Sequence, residues 1–174
     1  MAVTYRMMQG IRALLAFSQT VDTALAQRHL SAPQMALFLR MSKSEQLHSL
    51  NVLRDVLAQE AHTPPDLAVG ALLHDVGKSR YALNTAQRTL SVLVKKLLPR
   101  LERRLSVTQE LTWLNAPFVV RRHHPQWSAE LLREVGASET AIWLVAHHAD
   151  DLTQWVVHPQ VGLLARLKTA DDQN

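Results

Sequence analysis

Ala71-Leu-Leu-His-Asp-Val-Gly-Lys78 is where the sequence commits itself to a fold. Ala and Leu favour helix, and Thr63-Pro-Pro-Asp66 just upstream is a helix start signal. The helix it opens carries Leu67, Ala71 and Leu72 and is expected to end near Gly77. That places His74 and Asp75 in its last turn.

Working outward, Ser42-Lys-Ser-Glu45 is a capping box, in which the Ser oxygen and the Glu carboxylate satisfy free amides. The helix behind it carries Leu47, Leu50, Leu53, Val56 and Leu57, with His48 on board. Ser31-Ala-Pro33 opens a short helix to about Leu39, and residues 4 to 29 read as one helix through Met8, Ile11, Leu14, Leu15, Val21 and Leu25. Downstream, residues 85 to 115 read as two or three helical pieces, punctuated by Pro99 and Ser106-Val-Thr108. Pro117 and Pro125 bracket a short connector, and a helix runs from Pro125 to Val135 with Gly136 as its stop. Ser138 opens another that ends around His147-His148, and Pro159 opens the last, which runs into Ala170-Asp171-Asp172. No segment alternates apolar and polar residues over strand length, and there is no internal repeat. The expectation is an all-α, compact helical bundle: one domain over 1–174, with N-terminal helices in 1–41 and a core in 42–172.

Bulk composition bounds the chemistry. The 174 residues suit one core. The chain has no Cys, so disulfides and thiolate zinc sites are excluded and any metal must be held by His and carboxylates. Met1 to Gln27 lacks the layout of a secretory leader, and no later run is long enough to span a bilayer, so a cytoplasmic location is expected. The net charge of +4 would attract phosphates, nucleotides or anionic lipid, but is too small to indicate nucleic-acid binding.

Nine His residues are present. His48, His74, His124, His147 and His148 fall near helix ends or connectors, with Asp75 and Asp171. Imidazoles and carboxylates converging from several helices suit a transition metal. On a helix His74 and Asp75 point about 100° apart, so one can bind a metal terminally while the other reaches between two. Lys78 lies on the same face as His74 and would place a point charge where a phosphate oxygen sits, with Gly77 leaving room for that approach. His29 and His62 read as structural, and His158 as a loop residue.

These segments resemble a known family. Ala71–Lys78 looks like the defining motif of the HD-domain phosphohydrolases. Gln46-Leu-His48-Ser-Leu is similar to their upstream helix. His124-Pro-Gln-Trp-Ser-Ala-Glu-Leu-Leu132 is similar to their His-x-x-x-Gly-Ala-Glu-Leu-Leu segment, with Ser128 in place of the Gly, a change expected to crowd the helix slightly. Ile142-x-x-x-x-His147-His148 and Leu167-Lys-Thr-Ala-Asp171 match the remaining two. The resemblance implies a metal-dependent phosphohydrolase acting on a nucleotide or dinucleotide through a metal-bound hydroxide. His48, His74, Asp75 and Asp171 would hold one metal. His124, His147 and His148 would hold a second, with Asp75 bridging, and Lys78 would stabilise the phosphoryl group. Fe or Mn is favoured, and Co, Ni and Zn fit the same ligands. Alignment on Ser128-Ala129 favours His124 over His123, and Lys-Thr-Ala favours Asp171 over Asp172. Chain length and the His124 segment resemble the branch that hydrolyses dinucleoside polyphosphates. A mononuclear site, and a non-catalytic regulatory or membrane-surface module, are the alternatives.

The segment 90–105 stands apart. Leu90, Leu93, Val94, Leu97, Leu101 and Leu105 form an apolar stripe opposite Lys95, Lys96, Arg100, Arg103 and Arg104. The first reading is a core-packing helix with a solvated basic face; a membrane-surface helix or a substrate-steering lid are the others. Nothing in the sequence sets the oligomeric state.

Overall fold

The computed structural model describes residues 20–107 and 111–174. The described residues are helical throughout their ordered elements, with no strand. In chain order they form α1 (Thr23–Gln27), α2 (Ala32–Arg40), α3 (Lys43–Gln59), α4 (Pro65–Leu73), a 3₁₀ helix (Val76–Arg80), α5 (Thr85–Leu97), α6 (Pro99–Leu105), α7 (Ala116–Glu134), α8 (Glu139–His147), a second 3₁₀ turn (Leu152–Trp155) and α9 (Val161–Asp172). The all-α bundle expected from the sequence is what forms. No described helix is long and apolar enough to cross a membrane.

Helix α4 is the axis of the core. Every residue from Leu67 to Leu73 is buried, as an all-round apolar helix must be. Leu50 and Leu53 of α3, Leu132 of α7, Leu144 of α8 and Leu164 and Leu167 of α9 join its core cluster, all fully buried. Helices α8 and α9 lie against α4 at Gly70, where a Cβ would meet Leu144 and Leu167 at ordinary van der Waals distance. This central position carries the end of α4 into the middle of the molecule.

Local signals set most of the boundaries. Ser42 accepts from the Glu45 amide while Glu45 accepts from the Ser42 amide at 2.9 Å, which closes the α3 capping box. Gly136 takes φ +68° at the end of α7. Arg166 of α9 bonds the Glu60 carboxylate at 2.9 Å and Gln59 Oε1 at 3.1 Å. This clamp holds α9 along α3, and so Asp171 near His48.

Four expectations change. Residues 4–19 of the expected first helix lie outside the described residues. The remainder is not its continuation, because Asp22 caps a new helix by accepting from the Leu25 amide at 3.0 Å. Helix α4 stops at Leu73 instead of near Gly77, and a 3₁₀ turn follows. The reason is tertiary: Gly77 is pressed onto α7, where a Cβ would lie 2.2 Å from the His124 carbonyl oxygen. Gly77 therefore makes room for α7 and not for a phosphate. The connector expected between Pro117 and Pro125 is helix instead, since α7 runs unbroken through Pro125. Pro125 has no N–H to give the Arg121 carbonyl, and His124 Nδ1 donates to that oxygen instead, at 2.9 Å.

The fourth change concerns α5 and α6. Asn84 caps α5 by accepting from the Gln87 amide at 2.9 Å, and Pro99 starts α6 after a break at Leu98. The stripe expected to pack on the core does not do so as a whole. Leu93, Leu97 and Leu101 are 50%, 68% and 41% exposed. Val94 and Leu105 are half-buried.

Candidate metal centre

Six side chains from five elements meet at the inner end of α4. His48 comes from the second turn of α3, and His74 and Asp75 from the junction after α4. His124 comes from the middle of α7, His148 from the end of α8 and Asp171 from the last turn of α9. His74, Asp75, His124 and His148 are buried, whereas His48 and Asp171 are half-buried at the cleft side.

The three buried imidazoles are oriented by one device. His74 Nδ1 donates to the Ala71 carbonyl at 3.0 Å, His124 Nδ1 to that of Arg121 at 2.9 Å and His148 Nδ1 to that of Val145 at 2.7 Å. Each acceptor lies three residues back. At His74 and His148 a helix end supplies the spare carbonyl, and at His124 Pro125 does. A ring that donates through Nδ1 carries its lone pair on Nε2 when neutral, so all three Nε2 atoms face inward as ligands.

The inward atoms then need a cation. His124 Nε2 and His148 Nε2 stand 3.2 Å apart, lone pair toward lone pair. His74 Nε2 is buried with no hydrogen-bond partner among the described residues. Around them, Asp75 Oδ1 is 3.2 Å from His124 Nε2 and 3.9 Å from His148 Nε2. Asp75 Oδ2 is 3.5 Å from His74 Nε2 and 3.9 Å from His48 Nε2. Asp171 Oδ1 is 3.0 Å from His48 Nε2 and 3.6 Å from His74 Nε2. Donor atoms bound to one ion at about 2.0–2.2 Å stand roughly 3–3.6 Å apart. These separations therefore fit a metal after small adjustments. Two ligand groups emerge, His48–His74–Asp75 and Asp75–His124–His148, and they share Asp75 through its two oxygens.

The electrostatics agree. Burial opposes charge on Asp75, but His74, Lys78 and the adjacent His124 hold its carboxyl well below the usual carboxylate range. Burial likewise opposes charge on Asp171, and the nearby His48 and His74 imidazoles outweigh it, so its carboxyl is also lowered. Both stay anionic. Burial, then the neighbouring His74, pushes His148 down to about 3, which keeps it neutral as a ligand must be. Burial also disfavours charge on His74, yet Asp75 and Asp171 together raise it. The field that attracts a proton to His74 Nε2 attracts a metal ion to the same place.

A family model for the HD domain matches residues 47–172. The chain belongs to the HD-domain family. No curated protein and no solved structure matches it. HD domains belong with the metal-dependent phosphohydrolases, and the His/Asp cluster fits the divalent metal that HD domains bind.

The HD-domain ligand set expected from the sequence is brought together except at one position. His147 points away from the cluster: its Nδ1 donates to Asp150 at 2.7 Å and its ring packs 4.1 Å from that of Trp155. Adjacent helical residues diverge by about 100°, and of the pair only His148 can face inward. His123 is also turned away, stacked on Trp127, while His124 is in the cluster. Asp172 is exposed and Asp171 is inside. His158 stacks 3.8 Å from the ring of Trp143, a packing role.

Ser128 is the residue whose part the sequence concealed. Its hydroxyl donates to the His74 carbonyl at 2.7 Å and accepts from the Gly77 amide at 2.8 Å. It does not crowd α7; it satisfies two backbone groups freed where α4 breaks and fixes the His74–Gly77 turn. The only sequence signal was a hydroxyl inside an apolar helix face, which needs partners when buried.

A cleft of about 1480 Å³ opens over the cluster. His48, Asp75, His124, His148 and Asp171 reach its floor, and Lys78, Arg121 and Lys168 are among its walls. Lys78 Nζ bonds Asp75 Oδ2 at 2.5 Å, and Lys168 Nζ bonds the His148 carbonyl at 2.9 Å.

Proposed function

We propose that this HD domain hydrolyses a phosphoester or phosphoanhydride of a nucleotide or dinucleotide at two metal ions that share Asp75. The observation that carries the reading is the inward trio of His74, His124 and His148 Nε2 atoms, arranged about one buried carboxylate with a lysine beside it. His48, His74, Asp75 and Asp171 would hold one ion and Asp75, His124 and His148 the other. Fe or Mn is favoured, with Co, Ni and Zn able to use the same ligands. Divalent ions supply Lewis-acid polarisation of the phosphoryl oxygens and lower the pKa of water.

The chain's own residues do the rest. Lys78, within reach of Asp75, is placed to hold a phosphoryl oxygen by charge and to stabilise its growing negative charge. Arg121 and Lys168 give the walls the positive potential that gathers a polyanion. His74 and Lys78 keep the buried Asp75 carboxylate anionic and its surroundings fix it, so no reorganisation is required of it. The cleft exceeds the roughly 300–1,000 Å³ of ordinary small-ligand pockets, which supports a substrate as long as a dinucleotide.

The test is phosphate release from a panel of nucleotides, dinucleoside polyphosphates and cyclic dinucleotides. Fe(II)- and Mn(II)-reconstituted protein is run beside the His74→Ala, Asp75→Ala double variant. Metal-dependent turnover lost in the variant supports the reading and names the substrate class. Metal-loaded protein inert on the whole panel overturns it. Two ions per chain are expected at full loading, and a ceiling of one would sink the binuclear form.

A further inference from the structure

The exposed face of α5 and α6 has no place in hydrolysis. On α5, Thr89, Val92, Leu93, Lys96 and Leu97 are all exposed, at helical spacing. Leu98, Arg100, Leu101 and Arg104, next in the chain, are exposed as well. Gln87 Nε2 donates to the Trp113 carbonyl at 2.9 Å, which ties a second apolar element to the start of α5. There Trp113 is 52% and Leu114 60% exposed. So many large apolar groups on neighbouring elements exceed the scattered singles that are normal on a surface.

Charge selects the occupant. Residues 90–105 hold five basic residues against the single Glu102, so this segment alone carries the net +4 of the whole chain. A protein partner of ordinary composition would match the leucines but not this concentration of cations between them. Anionic lipid matches both, since lysine and arginine reach the headgroups while leucine and tryptophan enter the acyl boundary. Ser91 of α5 and Ala82 and Leu83 before it line the cleft, so the face borders its mouth.

We propose that the α5–α6 face, with Trp113 and Leu114, docks this protein on an anionic membrane surface and presents the cleft to that interface. The docking is peripheral.

The experiment is sedimentation of the full chain with phosphatidylglycerol–phosphatidylcholine vesicles and with pure phosphatidylcholine vesicles, at low and high salt. Velocity sedimentation of the protein alone runs beside it. Binding to the anionic vesicles is expected, weakened strongly by salt and by removal of the anionic lipid. Lys96→Glu, Arg100→Glu, Arg104→Glu should weaken it on the order of 100-fold, at about fivefold per charge near the surface. Leu93→Ser with Leu97→Ser should weaken it about tenfold. The charged residues are exposed, so the triple variant should keep the wild-type circular dichroism and melting temperature and report on docking alone. Absence of anionic-vesicle binding at low salt overturns the proposal. So does equal binding by wild type and the triple variant, or self-association through Leu93 and Leu97 without vesicle binding, which would assign the face to a second copy. The readout is binding, so it stands or falls separately from hydrolysis.

Discussion

The His124 ring is held by the Arg121 carbonyl, to which Pro125 offers no N–H. Arg121 would ordinarily receive the amide of residue 125; proline offers none, and His124 Nδ1 takes the oxygen at 2.9 Å. A mid-helix histidine thereby gains the anchorage that His74 and His148 obtain at helix ends. Pro125→Ala restores the competing amide and removes a helix-interior proline. Metal affinity is expected to fall about tenfold, as for loss of an outer hydrogen bond to a ligand, while the metal-free protein becomes no less stable. Calorimetric metal titration and urea unfolding of the metal-free protein measure the two effects. Unchanged affinity would mean the ring needs no such anchor.

The two adjacent histidines at the end of α8 should separate cleanly. His148→Ala removes an Nε2 that lies 3.2 Å from His124 Nε2 and is expected to cost the site most of its second ion. His147→Ala should leave metal stoichiometry unchanged and lower stability, because it removes a ring packed against Trp155 and bonded to Asp150. The loss should be about 1–2 kcal/mol. Elemental analysis of reconstituted protein with thermal unfolding distinguishes them. Loss of metal in the His147 variant would place that residue back among the ligands.

Where the sequence could be read, it was through local chemistry, and where it misled, through tertiary contacts. Ser42-Lys-Ser-Glu45 and Gly136 are complete instructions within a few residues, and both elements form at those places. Pro125 reads as a helix break because its compensation is a side-chain bond from its neighbour, which no local pattern records. Gly77 reads as a stop or as space for a ligand, yet its role is set by α7, whose His124 carbonyl lies against it. His147 and His148 share one local sequence, and only Trp143, Trp155 and Asp150 decide which faces out. The stripe of Leu93, Leu97 and Leu101 has a core pattern, and nothing local says that no core lies opposite.

Ser128 and Gly77 form one joint and should fail in different ways. Ser128→Ala leaves the His74 carbonyl and the Gly77 amide buried without their partner, at about 1–3 kcal/mol. Gly77→Ala forces a Cβ into the α7 backbone, which cannot yield as a flexible side chain would. It should cost more than the Ser128 change, above about 2 kcal/mol, and should also lower metal occupancy by shifting His124. Urea unfolding with metal analysis ranks the two. A mild Gly77→Ala would show that α7 can move away from the turn.

The metal-free protein should be acid-labile in a stated window. His148 titrates at about 3 when folded and near 6.5 when unfolded, so between those values the unfolded chain binds more protons. Its contribution to stability is therefore present above about pH 6.5 and is lost as the pH falls toward 3. Asp75 and Asp171, both lowered, act in the same direction below about pH 4. His74, raised, works oppositely: its contribution is full below about 6.5 and disappears as the pH rises through its folded value. Below pH 6.5 the His74 contribution is constant, so net stability should fall by roughly 3 kcal/mol between pH 6.5 and 4 through His148, and further below about pH 4 as the two carboxylates titrate. Metal binding should release a proton from His74 and so strengthen as the pH rises above 6.5. Urea unfolding across the range tests the first effect, and titration in buffers of different ionisation enthalpy counts the proton. His148→Gln removes the titrating ring, and its stability curve should be flatter between pH 4 and 6.5. A variant curve as steep as the wild type between pH 4 and 6.5 would show that His148 is not the group responsible.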